Sequence, residues 1–152
     1  MNKSKISRDL YKKILENAPM CAVDFVLVYN NKVLLAYRTN EPAKDQWWLP
    51  GGRLYKNERL EDAIRRKAYE EVGIKVDIEK KIGCYEVMFK ESPFKNIKSG
   101  LHYIAICYLV KPLNDNVEIK LDSQHLKHKW IDKIERTLHP YVKTVLKDSG
   151  IF

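Results

Sequence analysis

The adjacent carboxylates Glu70 and Glu71 are the strongest candidates for chemistry in this sequence, because such a pair can bind a cation. Carboxylate oxygens are hard donors that suit Mg²⁺ or Mn²⁺. Gly51 and Gly52 would let the backbone turn sharply and bring a carbonyl oxygen to the same ion. Lys67, however, lies one helical turn before Glu71 and would repel a cation there. The pattern predicts an unusual metal site.

These residues belong to a helix that the pattern predicts over residues 58–72. Asn57 is a natural N-cap, and Gly73 suits the left-handed residue that ends a helix. Apolar residues recur at i, i+3 and i+4 and would form its buried stripe: Leu60, Ala63, Ile64, Ala68 and Val72. Arg66 stands four residues before Glu70, so the two can pair. By residue type alone, a solvated surface helix crossed by ion pairs is the simpler alternative.

The remaining pattern predicts one mixed sheet with helices on its faces, in a single domain over residues 1–152. Two apolar, β-branched runs flank Asn30-Asn31, a pair suited to the tight turn of a β-hairpin. Residues 101–112 are apolar almost throughout and predict a central strand. The other predicted elements are a helix over 6–17 capped by Ser7, a loop over 40–46, two strands within 75–90, a loop over 91–100, short strands over 117–121 and 127–131 around a polar loop over 122–126, and a helix from Pro140.

Composition narrows the class of function. The chain carries 28 Lys and Arg against 20 Asp and Glu, a net charge of +8, which favours an anionic partner. The charge is spread along the chain, so no arm for nucleic acid is expected. No long apolar run or secretory signal is present, so no membrane partner is expected either. The three cysteines, Cys21, Cys84 and Cys107, form no C-x-x-C pair, which predicts a cytoplasmic protein without a zinc cage or disulfides.

Several positions around the acidic pair stand at the spacing of the Nudix box: Gly52, Glu58, Arg66, Ala68, Glu70-Glu71 and Gly73-Ile74. The sequence therefore resembles the Nudix hydrolases, a family that splits nucleoside diphosphates linked to another moiety. The resemblance implies an α/β fold, an α/β/α sandwich with a mixed β-sheet. One functional position departs from the box, because the residue after Arg66 is Lys67 instead of glutamate. This departure argues against the family's usual multi-metal chemistry at phosphorus.

A closer resemblance covers residues 24–63 and 122–131, and extends loosely over 8–135. These segments are similar to the GDP-mannose mannosyl hydrolases, Nudix members whose box also lacks that glutamate. The subgroup cleaves the sugar carbon–oxygen bond and releases GDP and mannose, with one protein-bound Mg²⁺. The resemblance implies a nucleotide-sugar substrate, a homodimer, and Mg²⁺ with Mn²⁺ as an alternative. Lys67 would then stand where other Nudix enzymes bind further ions.

The same resemblance assigns the metal ligands. Glu71, the Gly51 carbonyl and the Gln124 side-chain oxygen would bind the ion, and diphosphate oxygens would complete an octahedron. Glu70 would add a carboxylate beside them, as in ordinary Nudix boxes, although the mannosyl hydrolases can have a small residue there. Arg66 would orient one of the two carboxylates.

Substrate-binding and catalytic roles follow in the same way. Arg38 and Arg53 would bind the diphosphate, because the planar guanidinium group matches two phosphate oxygens. His125 would be the general base that takes a proton from the attacking water, since imidazole titrates near neutral pH. Asp24 and Tyr103 would contact the sugar or the nucleotide. A buried Asp24 would need a polar partner, whereas Tyr103 could also be part of the core.

Three functions remain open at this point. The first is hydrolysis of a nucleoside diphosphate sugar at the sugar carbon, which Lys67, Gln124 and His125 favour. The second is a Nudix pyrophosphatase that cleaves between phosphorus atoms, which Glu70 favours. The third is a non-catalytic domain that senses a nucleotide, although a mere binder would not need a general base.

Overall fold

A mixed β-sheet with helices packed against it forms the protein, as the sequence predicts. The computed structural model describes residues 6–152. The helices are α1 (Arg8–Asn17), α2 (Leu60–Val72) and α3 (Pro140–Ser149). The strands are β1 (Met20–Tyr29), β2 (Lys32–Arg38), β3 (Trp47–Trp48), β4 (Gly51–Arg53), β5 (Val76–Phe89), β6 (Leu101–Pro112) and β7 (His125–Ile131). None of the helices within residues 6–152 has the length and hydrophobicity of a membrane-spanning segment.

Strand β1 lies in the middle of the sheet, whose order is β3-β2-β1-β6-β5. It pairs in parallel with β6, the predicted central strand, and antiparallel with β2. The short strand β4 also pairs with β1, and β7 pairs with β2. In the β1–β4 register Gly51 lies opposite Asp24. The topology therefore brings two of the predicted site residues next to each other.

The β1–β2 hairpin forms because its two turn residues accept a left-handed backbone. Asn30 has a φ of 50° and Asn31 a φ of 58°. Two-residue hairpin turns of this type need positive φ at both positions, and asparagine tolerates it better than most residues. The turn pairs Tyr29 with Lys32, which fixes the register of the hairpin.

Helix α2 begins two residues later than predicted. Asn57 is not its N-cap but a turn residue with a φ of 64°, whereas an N-cap has an extended backbone. Arg59 takes the cap position, and Leu60 is the first helical residue. The Glu58 carboxylate accepts a hydrogen bond from the Tyr55 amide, which belongs to this turn. Gly73 ends the helix with a φ of 73°, as predicted.

The two terminal helices agree with their predicted caps. Ser7 accepts a hydrogen bond from the Leu10 amide at the start of α1. Pro140 occupies the first turn of α3, where its missing amide hydrogen costs nothing. His139 caps the same helix by accepting from the Tyr141 amide.

Two strand predictions were wrong. One long strand, β5 (Val76–Phe89), stands in place of the two predicted within 75–90, because its pairing with β6 continues across two register irregularities. Residues 117–121 form no strand, although apolar and polar residues alternate there. Their backbone is bonded to the end of α2: Lys120 donates to the Val72 carbonyl, and Asp122 donates to the Glu71 carbonyl.

Helices α2 and α3 cover opposite faces of the sheet. Ala63, Ile64, Ala68 and Val72 of α2 pack against one set of β1 and β6 side chains. Val142, Val145 and Leu146 of α3 pack against the alternate set. This arrangement is the predicted α/β/α sandwich.

Candidate active site

A cavity of about 450 Å³ brings most of the predicted site residues together. Seven of them line it: Asp24, Arg38, Gly51, Arg53, Glu71, Tyr103 and Gln124. Lys67 lines it as well. Glu70, Arg66 and His125 are not among the lining residues. The cavity is therefore the natural site for a ligand, and these three residues lie behind or beside its wall.

Glu71 lies on the side of helix α2 that faces the cavity, and its side chain is buried there. It is only 2% exposed, and its Oε2 atom accepts a hydrogen bond from the Gly51 amide at 2.9 Å. The Lys67 ammonium donates to the Glu71 Oε1 atom at 3.2 Å. Glu70, one residue earlier, turns outward with 44% of its side chain exposed. Only one of the two adjacent carboxylates thus faces the cavity.

Three residues that line the cavity carry oxygen atoms of the kind that a hard divalent cation prefers. Glu71 has a carboxylate, Gly51 a backbone carbonyl and Gln124 a side-chain amide oxygen. The backbone of Gln124 is held by Thr39, whose amide and hydroxyl both donate to the Gln124 carbonyl at 3.1 Å. Within residues 6–152, no group of three or more His, Cys, Asp or Glu residues is placed to hold a metal ion. The oxygen atoms of Glu71, Gly51 and Gln124 suit Mg²⁺, which commonly binds one or two carboxylates together with substrate phosphates.

Arg66 connects helix α2 to strand β4. Its guanidinium group donates to both carboxylate oxygens of Glu58, at 2.6 and 2.8 Å. It also donates to Glu70 Oε2 and to the carbonyl of Arg53, each at 3.1 Å. Burial lowers the pKa of Arg66, but the Glu58 carboxylate outweighs this effect and the net shift is upward. The sequence left open whether Arg66 contacts Glu70 or Glu71, and in the structure it contacts Glu70.

His125 lies at the start of β7, with its side chain only 1% exposed, and not in a polar loop as the sequence suggested. Its Nδ1 atom lies 2.7 Å from Asp122 Oδ1, and its Nε2 atom lies 4.0 Å from Glu71 Oε2. Pairing of β7 with β2 extends to His125, opposite Arg38, and buries the ring. Asp122 was missed by the sequence reasoning, although a carboxylate three residues before a histidine is a usable signal.

Asp24 is a buried carboxyl group that lines the cavity. The Tyr141 hydroxyl donates to its Oδ2 atom at 2.6 Å, and Tyr141 in turn contacts the Cys107 thiol at 3.1 Å. Burial raises the pKa of Asp24 to about 7, while the Tyr141 hydrogen bond lowers it and nearby Glu71 raises it. Tyr141 was also missed, because it lies 117 residues from Asp24 and no local pattern joins the two.

Arg38 and Arg53 bring two guanidinium groups to the cavity. Arg38 Nε donates to the Pro42 carbonyl at 2.7 Å, which fixes its side chain. The Arg53 guanidinium lies 5.2 Å from the centre of the Tyr11 ring, within the range of a cation–π contact. Burial raises the pKa of Tyr103, so its hydroxyl remains a hydrogen-bond donor. The cavity thus combines guanidinium groups, aromatic rings and oxygen donors, a set suited to a phosphate-bearing ligand.

Comparisons with known proteins identify the family and the fold. The family model described as NUDIX domain matches residues 19–144. The chain is 39% identical over 143 residues to the low-salt glycan biosynthesis protein Agl8 of Haloferax volcanii, covering 94% of this chain and 90% of that protein. It is 28% identical over 141 residues to an ADP-ribose pyrophosphatase of Methanocaldococcus jannaschii, covering 93% of this chain and 79% of that protein. The MutT protein from Methanosarcina mazei Go1 superposes with a TM-score of 0.69 at 20% identity, covering 88% of this chain and 96% of the other.

The sandwich fold and the charged cavity define a protein that acts on phosphate-bearing ligands. The family match covers most of the chain, and the Haloferax volcanii relative is 39% identical over 90% of its length. This chain belongs to the Nudix family. Its activity is the hydrolysis of nucleoside diphosphate derivatives, for which Nudix hydrolases generally use divalent metal ions.

Proposed function

We propose that this Nudix protein hydrolyses a nucleoside diphosphate sugar similar to GDP-mannose. Water attacks the anomeric carbon, and GDP and the free sugar are released. The observation that carries the proposal is that Arg38, Arg53 and Glu71 line one cavity. Two guanidinium groups and a carboxylate suited to a metal ion can together stabilise the charge that develops on a departing diphosphate. The Haloferax volcanii relative is named a glycan biosynthesis protein, which supports a sugar-bearing substrate.

Mg²⁺, or Mn²⁺ in its place, is the proposed cofactor. Glu71, the Gly51 carbonyl and the Gln124 side chain would hold it. When bound, the ion neutralises charge on the diphosphate leaving group. Glu70 is a poorer ligand than its position in the sequence suggests, because its carboxylate contacts Arg66 and does not line the cavity.

His125 is the proposed general base. Asp122 fixes its ring through Nδ1, which leaves Nε2 to accept a proton. Because the ring is buried, the segment from Asp122 to His125 must shift toward the cavity, whose wall already contains Gln124. Asp24 is the second candidate. It lines the cavity, and burial raises its pKa to about 7, which suits a general base at neutral pH.

The remaining residues would bind the substrate or position the residues that do. Arg38 and Arg53 would bind the two phosphates, and Tyr103 would contact the nucleotide or the sugar. Arg66 is a positioning residue, because it holds the Arg53 carbonyl and so fixes the strand that carries Arg53.

A pyrophosphatase activity is the second candidate function. Glu70 keeps the carboxylate of the ordinary Nudix box, and the Methanocaldococcus jannaschii relative is named an ADP-ribose pyrophosphatase. In that case water attacks phosphorus, and the products are a nucleoside monophosphate and a sugar phosphate.

Product analysis separates these functions. The purified protein is incubated with Mg²⁺ and GDP-mannose, UDP-glucose or ADP-ribose, and the products are identified by anion-exchange chromatography. GDP with free mannose is the expected result. GMP with mannose phosphate would support the pyrophosphatase instead, and saturable binding without any turnover would support a nucleotide sensor.

A homodimer and a cytoplasmic location complete the proposal. The resemblance to the mannosyl hydrolases supports the dimer, which gel filtration with light scattering can test. The three cysteines are all unpaired, which is usual in a reducing compartment.

A further inference from the structure

Lys67 is placed unusually for a lysine, since it lies in the cavity wall between two glutamates. Only 13% of its side chain is exposed. Its Nζ atom lies 3.2 Å from Glu71 Oε1 and 3.5 Å from Glu70 Oε2. The ammonium group of Lys67 thus contacts both carboxylates.

The neighbouring backbone is shaped to admit this side chain. A Cβ atom on Gly52 would lie 2.4 Å from Lys67 Cε and 2.9 Å from Nζ. Any residue other than glycine at position 52 would thus displace the ammonium from the two carboxylates. Helix α2 carries Lys67, and Gly52 of strand β4 leaves space for its side chain, so both elements position the ammonium group in the site.

We propose that Lys67 acts as a tethered cation that excludes a second divalent ion and so limits the site to one. Two adjacent carboxylates would otherwise attract an ion between them. The ammonium already lies within 3.5 Å of both Glu71 Oε1 and Glu70 Oε2, where such an ion would bind. A divalent ion at that position would have to displace it or sit beside a like charge, which is costly in a partly buried site.

This inference rests on the proposed metal site at Glu71 and explains how the protein sets its ion count. A single ion with a fixed ammonium beside it suits a reaction in which the ion only stabilises the leaving diphosphate. Reversing the charge at position 67, from lysine to glutamate, changes the local charge by two units, the charge of one divalent ion. Lys67→Glu should therefore open a second ion site.

The test counts bound Mn²⁺ by electron paramagnetic resonance, with the metal alone and no nucleotide. Lys67→Glu is expected to bind one Mn²⁺ per chain more than the wild type. Lys67→Met removes the ammonium without adding a ligand, and should bind a second ion at least about tenfold more weakly than Lys67→Glu does. Arg65→Glu is the matched control, because Arg65 lies on the same helix, is exposed and pairs with Glu61 and Asp62 outside the cavity.

Circular dichroism first establishes that each variant is folded. An unchanged ion count in Lys67→Glu, or an equal gain in Arg65→Glu, would overturn the inference. So would a Lys67→Met variant that binds no second ion, because the gain in Lys67→Glu would then come from the new ligand and not from lost exclusion. Since no substrate is present, a failed product analysis leaves this result untouched, and the two proposals fail separately.

Discussion

At the scale of single residues, Asp24 carries the clearest consequence for pH. Burial raises the pKa of Asp24 from an ordinary 3.8 to about 7. The folded protein therefore keeps a proton that the unfolded chain releases, and the free energy of unfolding falls as pH rises between these two values. Above about pH 7 the Asp24 carboxyl is ionised in both the folded and the unfolded state, so its effect on the free energy of unfolding no longer changes with pH.

The variant Asp24→Asn should remove this pH dependence, because an amide has no proton to release. We expect its free energy of unfolding to exceed that of the wild type at pH 8 by roughly 1–4 kcal/mol, and the difference to shrink below pH 5. Urea unfolding at both pH values measures it, with the exposed Asp132→Asn as control. A difference that is the same at both pH values would contradict the assignment.

The two adjacent glutamates should contribute unequally. Glu71→Gln is expected to lower kcat/KM by at least about 100-fold, since it removes the only one of the two carboxylates that faces the cavity. Glu70→Gln should cost no more than about tenfold, because Glu70 acts through Arg66. Steady-state kinetics with Mg²⁺ compares them, and the reverse order would show that the ion lies on the outer side of helix α2.

His125→Ala should lower turnover by roughly 10²–10⁴-fold, the usual effect of losing a general base. The Michaelis constant should change little, because Arg38, Arg53 and the ion are the proposed binding groups for the diphosphate. His128→Ala is the matched control, since His128 lies exposed on the same strand. If His125→Ala is nearly fully active and Asp24→Asn is not, Asp24 is the base.

At the scale of elements, helix α2 and the segments packed against it form the frame of the site. Gly73 ends the helix with a φ of 73°, and a Cβ there would lie 2.9 Å from Lys120 Cβ. This contact lies in the segment that leads on to Asp122 and His125. The end of α2 therefore positions both Glu71 and the proposed base.

Gly73→Ala should destabilise the fold by about 1–2 kcal/mol, from left-handed strain and the close approach to Lys120. Gly150→Ala is the matched comparison. Gly150 has a similar φ of 75°, but the nearest atom to its Cβ would be Lys80 Nζ at 3.9 Å. Chemical unfolding should therefore show a larger loss for Gly73→Ala, and equal losses would mean that the packing contact is unimportant.

Local signals explain which elements were predictable from the sequence. The Asn30-Asn31 turn and Gly73 each depend on a few neighbouring residues, and both predictions are confirmed. Residues 117–121 alternate like a strand, yet they bond to the end of α2, a partner that their own sequence does not indicate. Asn57 failed as a cap because the turn from Tyr55 to Glu58 needs its positive φ.

The candidate site shows the same limit. Spacing along one helix indicated Glu70 and Glu71, but only the phase of α2 against β4 decides which of them faces the cavity. Asp24 and Tyr141 lie 117 residues apart in the sequence, so no local pattern indicates their hydrogen bond. The burial of His125 follows from the pairing of β7 with β2, which is also a long-range contact.

At the scale of the whole molecule, the sandwich places the cavity where strands β1 and β4 meet helix α2. The net charge of +8 favours an anionic substrate in general, and Arg38 and Arg53 supply guanidinium groups at the cavity. Such groups can stabilise the charge on a diphosphate leaving group. We propose on this ground that water attacks carbon and not phosphorus.

Hydrolysis of GDP-mannose in ¹⁸O-labelled water with Mg²⁺ tests that claim most directly. Mass spectrometry of the products locates the label. Attack at the anomeric carbon from the side opposite GDP predicts label in the free sugar, unlabelled GDP, and inversion of the α-linked sugar to the β-anomer when the product is followed by NMR. Label in a phosphate group, with GMP and mannose phosphate as products, would contradict the account and establish cleavage of the phosphoanhydride.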